Sequence, residues 1–220
     1  MRKQNPVNDT ALLEDALRAY LNRRCRRAYA HDLRNGLQGI FGGVDALTRA
    51  ARALKPMAVP LEQVIQFVQQ AISNHERGLE RVLESMAPEQ QVAAEICLRE
   101  LLTELARFLT NDAARNNVRV RMDFSDDIKV TALVSKVRLI TLGLLAESID
   151  AMTSGGELRI AGRTVDSRVQ FEITDSRPQP RAKSFITEAI QHVVKELSGH
   201  IESNPTASGG NQVRVELPVA

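Results

Sequence analysis

Two stretches of the chain carry apolar residues at alternating steps of three and four. Proline is absent from 12–54 and from 61–86, and the short segment between them ends in Pro-Met-Ala-Val-Pro. Such spacing places apolar side chains on one face of a helix, and proline ends helices. The pattern therefore predicts a hairpin of two long helices. The expected contact positions are Leu33, Leu37, Ile40, Val44, Leu47, Ala51 and Leu54 in the first helix and Leu61, Ile65, Val68, Ile72, His75, Leu79, Val82 and Met86 in the second.

Each predicted helix has only a narrow apolar stripe, so a single hairpin cannot enclose a core. Two hairpins that pair through these stripes would form a four-helix bundle. We therefore expect residues 1–88 to form a dimerisation domain and the protein to be a homodimer.

After Pro88 the pattern changes to a mixture of strands and helices. Alternating apolar and polar residues predict strands at 118–124, 128–131, 157–165, 168–174 and 213–217. Helical spacing predicts helices at 96–109, 134–152 and 183–197. We expect residues 89–220 to form an α+β domain in which helices cover one face of a sheet.

The composition narrows the classes of function. No apolar run among the 220 residues approaches the roughly 20 that cross a bilayer, and the polar first ten residues do not resemble a signal peptide. Cys25 and Cys97 are too few for a disulfide framework, which favours a cytoplasmic protein with reduced thiols. The four histidines show no metal-ligand spacing, and we expect no metal site. Aromatic residues are only 4% and tryptophan is absent, which disfavours base stacking on single strands.

The net charge of +2 hides a basic beginning. Residues 1–60 carry 11 Lys/Arg against 5 Asp/Glu, and the arginines cluster at Arg23, Arg24, Arg26 and Arg27. Such a cluster attracts acidic protein surfaces, phosphate or nucleic acid, or is a solvated helix face. Because the chain has no recognisable nucleic-acid-binding motif, we do not expect a nucleic-acid partner.

The candidate chemistry lies at His31-Asp32-Leu33-Arg34-Asn35. If Leu33 faces the helix contact, then His31, Asp32 and Asn35 all turn outward. A carboxylate beside an exposed imidazole can hold the proton on one ring nitrogen and leave the other nitrogen nucleophilic. A carboxamide one turn later can orient water or a phosphoryl oxygen. The alternative is a surface histidine without a catalytic role.

Four glycines follow within two turns, at Gly36, Gly39, Gly42 and Gly43. Each costs a helix about 0.5–1 kcal/mol relative to alanine. A helix that keeps them is expected to need a thin surface for the close approach of a partner, or to bend there.

These features in order resemble the sensor histidine kinases. A helical hairpin with an outward His31-Asp32-x-x-Asn35 is similar to their dimerisation and phosphoacceptor region. Residues 144–152 resemble their asparagine-box helix, and 171–175 resemble the strand that ends in their nucleotide-binding aspartate, here Asp175. The segments at 155–160, 189–201, 209–210 and 213–218 extend the resemblance over about 22–218.

The sequence departs from this family at the nucleotide site. Glu147 stands where the family has the asparagine that coordinates the magnesium ion of ATP. The glycine pair after the aspartate is replaced by Ser176-Arg177-Pro178-Gln179, and 181–187 has no glycine where a phosphate-cradling loop is expected. We therefore expect ATP binding to be lost or very weak, with no cofactor and with Glu147 and Asp175 as vestiges.

A kept phosphoacceptor without a kinase site implies a histidine phosphotransferase of a phosphorelay. His31 would accept a phosphoryl group from one receiver domain and pass it to another, with Asp32 polarising the ring and Asn35 positioning water or phosphoryl oxygens. The residues expected to contact receiver domains are Arg23, Arg24, Arg27, Arg34, Gly36 and Gly39. The alternatives are an ATP-dependent histidine kinase with divergent loops and a non-catalytic signalling adaptor.

Overall fold

A computed structural model describes residues 6–53, 60–86, 93–124, 128–165, 168–177 and 184–218, some of them, such as Asp32, by their backbone only. The chain forms two compact units. One, the hairpin unit, is Arg23–Pro88, and the other, the mixed unit, joins Met1–Asn22 to Glu89–Ala220. Residues 6–22 thus group with the mixed unit, whereas the sequence predicts one hairpin domain over 1–88.

Two helices, α1 (Pro6–Ala53) and α2 (Leu61–Met86), match the long helices that the sequence predicts. In the hairpin unit they run antiparallel, with Gly36 against His75 and Gly43 against Val68. Large apolar side chains of both helices are nevertheless exposed, namely Leu37, Phe41, Val44, Leu61, Ile65, Phe67 and Ile72. A single hairpin therefore leaves apolar surface uncovered, as its narrow stripes predict.

In its described residues, the mixed unit contains two sheets and four further helices. Its elements in chain order are β1 (Ala93–Cys97), α3 (Leu98–Phe108), α4 (Thr110–Arg115), β2 (Val118–Phe124), β3 (Lys129–Leu133), α5 (Val134–Ala151), β4 (Gly156–Val165), β5 (Arg168–Asp175), α6 (Phe185–Glu196), β6 (His200–Pro205) and β7 (Asn211–Pro218). The main sheet has the order β2-β4-β5-β7-β6, in which only β2 and β4 are parallel neighbours. The predicted α+β class is confirmed.

The prediction of a helix over 96–109 was wrong at its start. Residues 93–97 form β1, which pairs antiparallel with β3 from Ala93 opposite Leu133 to Cys97 opposite Lys129, and the helix begins at Leu98. Because the partner strand lies more than thirty residues away, the local apolar spacing cannot reveal the pairing. The short helix α4 was also absent from the sequence prediction.

The core of the mixed unit lies between the main sheet and its helices. Ile160, Phe171 and Val215 of the central strands are fully buried, together with Ile140 of α5 and Ile190 of α6. Burial alternates along β7, so the other face of the sheet carries polar groups. The predicted single covered face is therefore present.

The beginning of α1 packs on α5 and α6 of the same unit. Leu17 and Leu21 are buried. Glu14 accepts a hydrogen bond from Lys136 at 2.6 Å, and the Tyr20 hydroxyl donates to Asp150 at 2.8 Å. These contacts explain why residues before 23 belong to the mixed unit.

Within the described ranges, no helix has the length and apolar character of a membrane span. The described residues also contain no cluster of three or more His, Cys, Asp or Glu side chains suited to a metal ion.

Candidate functional site

His31 and Asn35 lie one turn apart on α1, and both are exposed. The Asn35 amide nitrogen is 3.1 Å from His31 Nδ1 and 3.5 Å from Nε2. Because a carboxamide can turn either its N–H or its oxygen toward the ring, and because both ring nitrogens lie within reach, this contact does not single out one of them. The structure thus joins two of the three predicted site residues. The side chain of Asp32 lies outside the described part, and its role stays a prediction.

The arginines predicted to bind a partner lie on both sides of His31. Arg23, Arg27 and Arg34 are exposed, whereas Arg24 is half-buried. Guanidinium groups near the exposed imidazole make this part of α1 positively charged. Their contact with a partner stays a prediction.

Three of the four glycines after His31, namely Gly36, Gly39 and Gly43, face the second arm of the hairpin. A Cβ at Gly36 would lie 3.2 Å from His75 Cβ, and one at Gly39 would lie 3.1 Å from Ala71 Cβ. The close approach at Gly36 and Gly39 is made by α2 of the same chain, whereas the sequence prediction assigned it to a partner. Whether a partner also contacts Gly36 or Gly39 stays a prediction.

Asp175, at the end of β5, is buried and paired with Arg177. Arg177 Nε donates to Asp175 Oδ1 at 2.7 Å, Nη2 donates to Oδ2, and Nη2 also lies 3.2 Å from Ser148 Oγ. Only 1% of Asp175 and 5% of Arg177 are exposed. Both carboxylate oxygens of the predicted nucleotide-binding residue are thus engaged within the chain.

Glu147 of α5 contacts the N-terminus of α6. The Ser184 hydroxyl donates to Glu147 Oε1 at 2.7 Å, and the Thr187 hydroxyl donates to the same oxygen at 3.1 Å. Ser184 is also the N-cap of α6, since its Oγ accepts a hydrogen bond from the Thr187 backbone amide at 3.1 Å. The segment 178–183, between β5 and this cap, lies outside the described residues.

Sequence reasoning treated Arg177 only as the loss of a glycine. It missed the partners Ser148, Ser184 and Thr187 altogether. An arginine two residues after a strand-end aspartate is a weak local signal. Pairing of the two side chains depends on burial, which the sequence pattern at this position does not show.

No protein-family model and no curated protein matches the sequence. Solved structures of histidine kinases do match it. The nucleotide-free catalytic domain of histidine kinase ThkA gives a TM-score of 0.54 at 17% identity, over 58% of this chain and 95% of that domain. The Acinetobacter baumannii histidine kinase AdeS gives 0.53 at 13% identity, over 86% of this chain and 98% of that chain.

A third match is histidine kinase ThkA in complex with the response regulator protein TrrA. It gives a TM-score of 0.51 at 18% identity, over 87% of this chain and 60% of that chain. The protein has a histidine-kinase-like ATPase fold. At these identities the likeness concerns the fold, and the activity has to be argued from the residues.

Two positions in this fold's nucleotide site differ from those expected for ATP and its magnesium ion. Arg177 binds both oxygens of Asp175. Glu147 adds a negative charge where the resemblance places a neutral magnesium ligand next to a triphosphate. A donor from a nucleotide base would have to displace a buried guanidinium, which is costly because the displaced charge loses its partner.

Proposed function

We propose that the protein is a histidine phosphotransferase that moves a phosphoryl group between receiver-domain aspartates through His31, without binding ATP. The observation that carries this proposal is an exposed His31 beside Asn35 in a chain whose Asp175 carboxylate is bound by its own Arg177. A nucleophile is kept where an ATP site is obstructed, so the phosphoryl group has to come from another protein.

The proposed step is an exchange of one bond for another. A neutral ring nitrogen of His31 attacks the phosphorus of an aspartyl phosphate, and the bond from phosphorus to the carboxylate oxygen breaks with its electron pair staying on the aspartate. The ring becomes positive until the proton on its other nitrogen passes to an acceptor. In this proposal Asp32 holds that second nitrogen, and Asn35 positions water or phosphoryl oxygens. Transfer to the next aspartate is the reverse of this step.

Two observations support receiver domains as the partner class. One structure with a similar fold is a histidine kinase in complex with a response regulator protein. In addition, Arg23, Arg27 and Arg34 are exposed on the helix that carries His31. An acidic surface around the receiver's aspartate would be attracted by these groups, which raises the rate of encounter.

The proposed working form is a homodimer. Leu37, Phe41 and Val44 are exposed on α1, and Leu61 and Ile72 on α2. Apolar positions at helical spacing on both arms suit a second hairpin that completes a four-helix bundle.

The test is intact-mass detection of an acid-labile phosphate on the full chain. Receiver domains charged with a small-molecule phosphodonor form one arm, and Mg-ATP forms the other. His31→Ala is the informative variant. His200→Ala is the matched control, because His200 is also an exposed histidine but lies on β6.

We expect labelling from a receiver, none from ATP, and its loss in His31→Ala but not in His200→Ala. Labelling from ATP would replace the proposal by an ATP-dependent kinase. A chain that no receiver labels, including receivers it binds, would be a non-catalytic adaptor.

A further inference from the structure

We propose that the nucleotide site of this fold is occupied by the chain's own side chains. Arg177 takes the place of a ligand's donor group on Asp175, and Glu147 takes the place of an anionic ligand group at the N-terminus of α6. This inference deepens the ATP-free part of the proposed function. It does not depend on the reactivity of His31.

The Arg177 side chain occupies the position of a ligand's donor group through its pair with Asp175. A buried carboxylate requires donors, because burial without them is costly. Arg177 supplies a bidentate pair, with Nε on one oxygen and Nη2 on the other, and its backbone N–H lies 3.3 Å from Oδ1. The planar fork of a guanidinium fits a carboxylate in this way, whereas an ammonium does not. Both oxygens of the carboxylate therefore have hydrogen-bond donors without a ligand.

The guanidinium has a further fixed contact. Its Nη2 lies 3.2 Å from Ser148 Oγ, and Ser148 is fully buried on α5. The side chain of Arg177 thus joins the end of β5 to α5 through the interior. It fills space that a glycine at the same position would leave open.

The Glu147 carboxylate occupies the position of an anionic ligand group at the N-terminus of α6. Helix N-termini carry partial positive charge and free N–H groups, and they attract anions. Here the Ser184 hydroxyl accepts a hydrogen bond from the Thr187 backbone amide and donates a hydrogen bond to Glu147. Thr187 adds a second hydroxyl donor. The anionic carboxylate at this end of α6 comes from α5, and a phosphate brought there would be repelled by it.

The test compares Arg177→Ala with Arg159→Ala in the full chain. Arg159 forms an ion pair with Asp123 on the outer face of the sheet, where both side chains are about half exposed. Arg177→Ala should leave a cavity beside a buried carboxylate and lower the melting temperature by roughly 10 °C, several times the shift of Arg159→Ala.

Methylguanidinium at low millimolar concentration is the decisive probe. It should restore most of the lost melting temperature in Arg177→Ala, because it binds only the folded state with the cavity. It should leave the wild type and Arg159→Ala unchanged. Methylurea, which is planar but neutral, is the matched control compound and should restore little.

A separate measurement on the wild type guards against a variant that does not fold. Fluorescent ADP with Mg²⁺ should show no rise in fluorescence anisotropy when the protein is added to millimolar concentration. Binding there would overturn this inference and the ATP-free part of the proposed function, whereas receiver labelling of His31 would be unaffected. Equal melting shifts in the two arginine variants, or no recovery with methylguanidinium, would overturn the inference alone.

Discussion

The two units of the protein treat their apolar side chains in opposite ways. In the hairpin unit, Phe41, Val44 and Phe67 are exposed, and Phe41 keeps 68% of its surface accessible. In the mixed unit, Phe171 and Ile190 have no exposed surface. One region is therefore folded around its own core, whereas the other is a pair of helices whose apolar face is uncovered.

The difference also separates the two sets of candidate residues. His31 and Asn35 are exposed on a regular helix, where a partner can reach them. Asp175 and Arg177 are buried and bind each other. The exposed pair is accessible from solvent, whereas the buried pair is enclosed within the mixed unit.

The largest effect should come from truncating one phenylalanine in each unit. Phe171→Ala should reduce the free energy of unfolding by about 3–5 kcal/mol, because it leaves a cavity in a packed core. Phe41→Ala should change the unfolding of the isolated chain by less than about 0.5 kcal/mol, because the side chain is exposed. Denaturant titration measures both.

The same pair tests the homodimer. If Phe41 lies in the proposed bundle, Phe41→Ala should shift sedimentation toward the monomer, whereas the dimer of a folded Phe171→Leu control should be unaffected. Phe41→Ala that leaves the association constant unchanged would remove this side chain from the interface.

The next largest effect concerns two adjacent glycines of α1. A Cβ at Gly43 would overlap Val68 Cγ2, whereas nothing lies within 4 Å of one at Gly42. Gly43→Ala should therefore destabilise the hairpin by about 1–3 kcal/mol through overpacking. Gly42→Ala should stabilise it by about 0.5–1 kcal/mol through helix propensity.

Circular dichroism melts of the two variants would measure the difference. Equal shifts for both would mean that the two arms of the hairpin do not approach each other as closely at Gly43 as the structure has them.

The smallest effect should be a pH-dependent one at the start of α1. Burial raises the pKa of Glu14, but hydrogen bonds and charges from Lys136 and Arg18 outweigh it, so the pKa lies below its ordinary 4.5. A carboxyl with a lowered pKa stabilises the fold above its ordinary value, and this contribution is lost as the pH falls through the lowered pKa. Glu14→Gln should cost about 1–2 kcal/mol at neutral pH.

The cost should shrink as the pH falls from 4.5 through the lowered pKa, because the wild-type carboxyl then becomes protonated as well. Urea titrations of wild type and Glu14→Gln at several pH values would show this convergence. A difference that stays constant down to acid pH would separate the effect from the charge of Glu14.

Local patterns were sufficient for most of the elements. Three–four spacing predicted α1, α2 and α5, and alternation predicted β2, β4, β5 and β7. Both periods are properties of neighbouring residues, so they can be seen without a fold. The strand β1 could not be predicted in this way, because it exists through pairing with β3.

The candidate site also has a part that local sequence patterns predict. His31 and Asn35 are one helical turn apart, so their contact follows from the sequence as soon as α1 is a helix. The sequence also showed that Glu147 and the missing glycines depart from an ATP site.

The helical hairpin, the mixed second domain and the exposed His31 with Asn35 follow from local patterns in the sequence. Only the tertiary structure decided that Gly36 and Gly43 face α2, that α1 begins on the mixed unit, and that Arg177 binds Asp175. The physical reason is the separation along the sequence of the residues that interact. Helix faces and strand alternation are set by residues a few positions apart, whereas burial brings together side chains from distant elements and sets which charges pair.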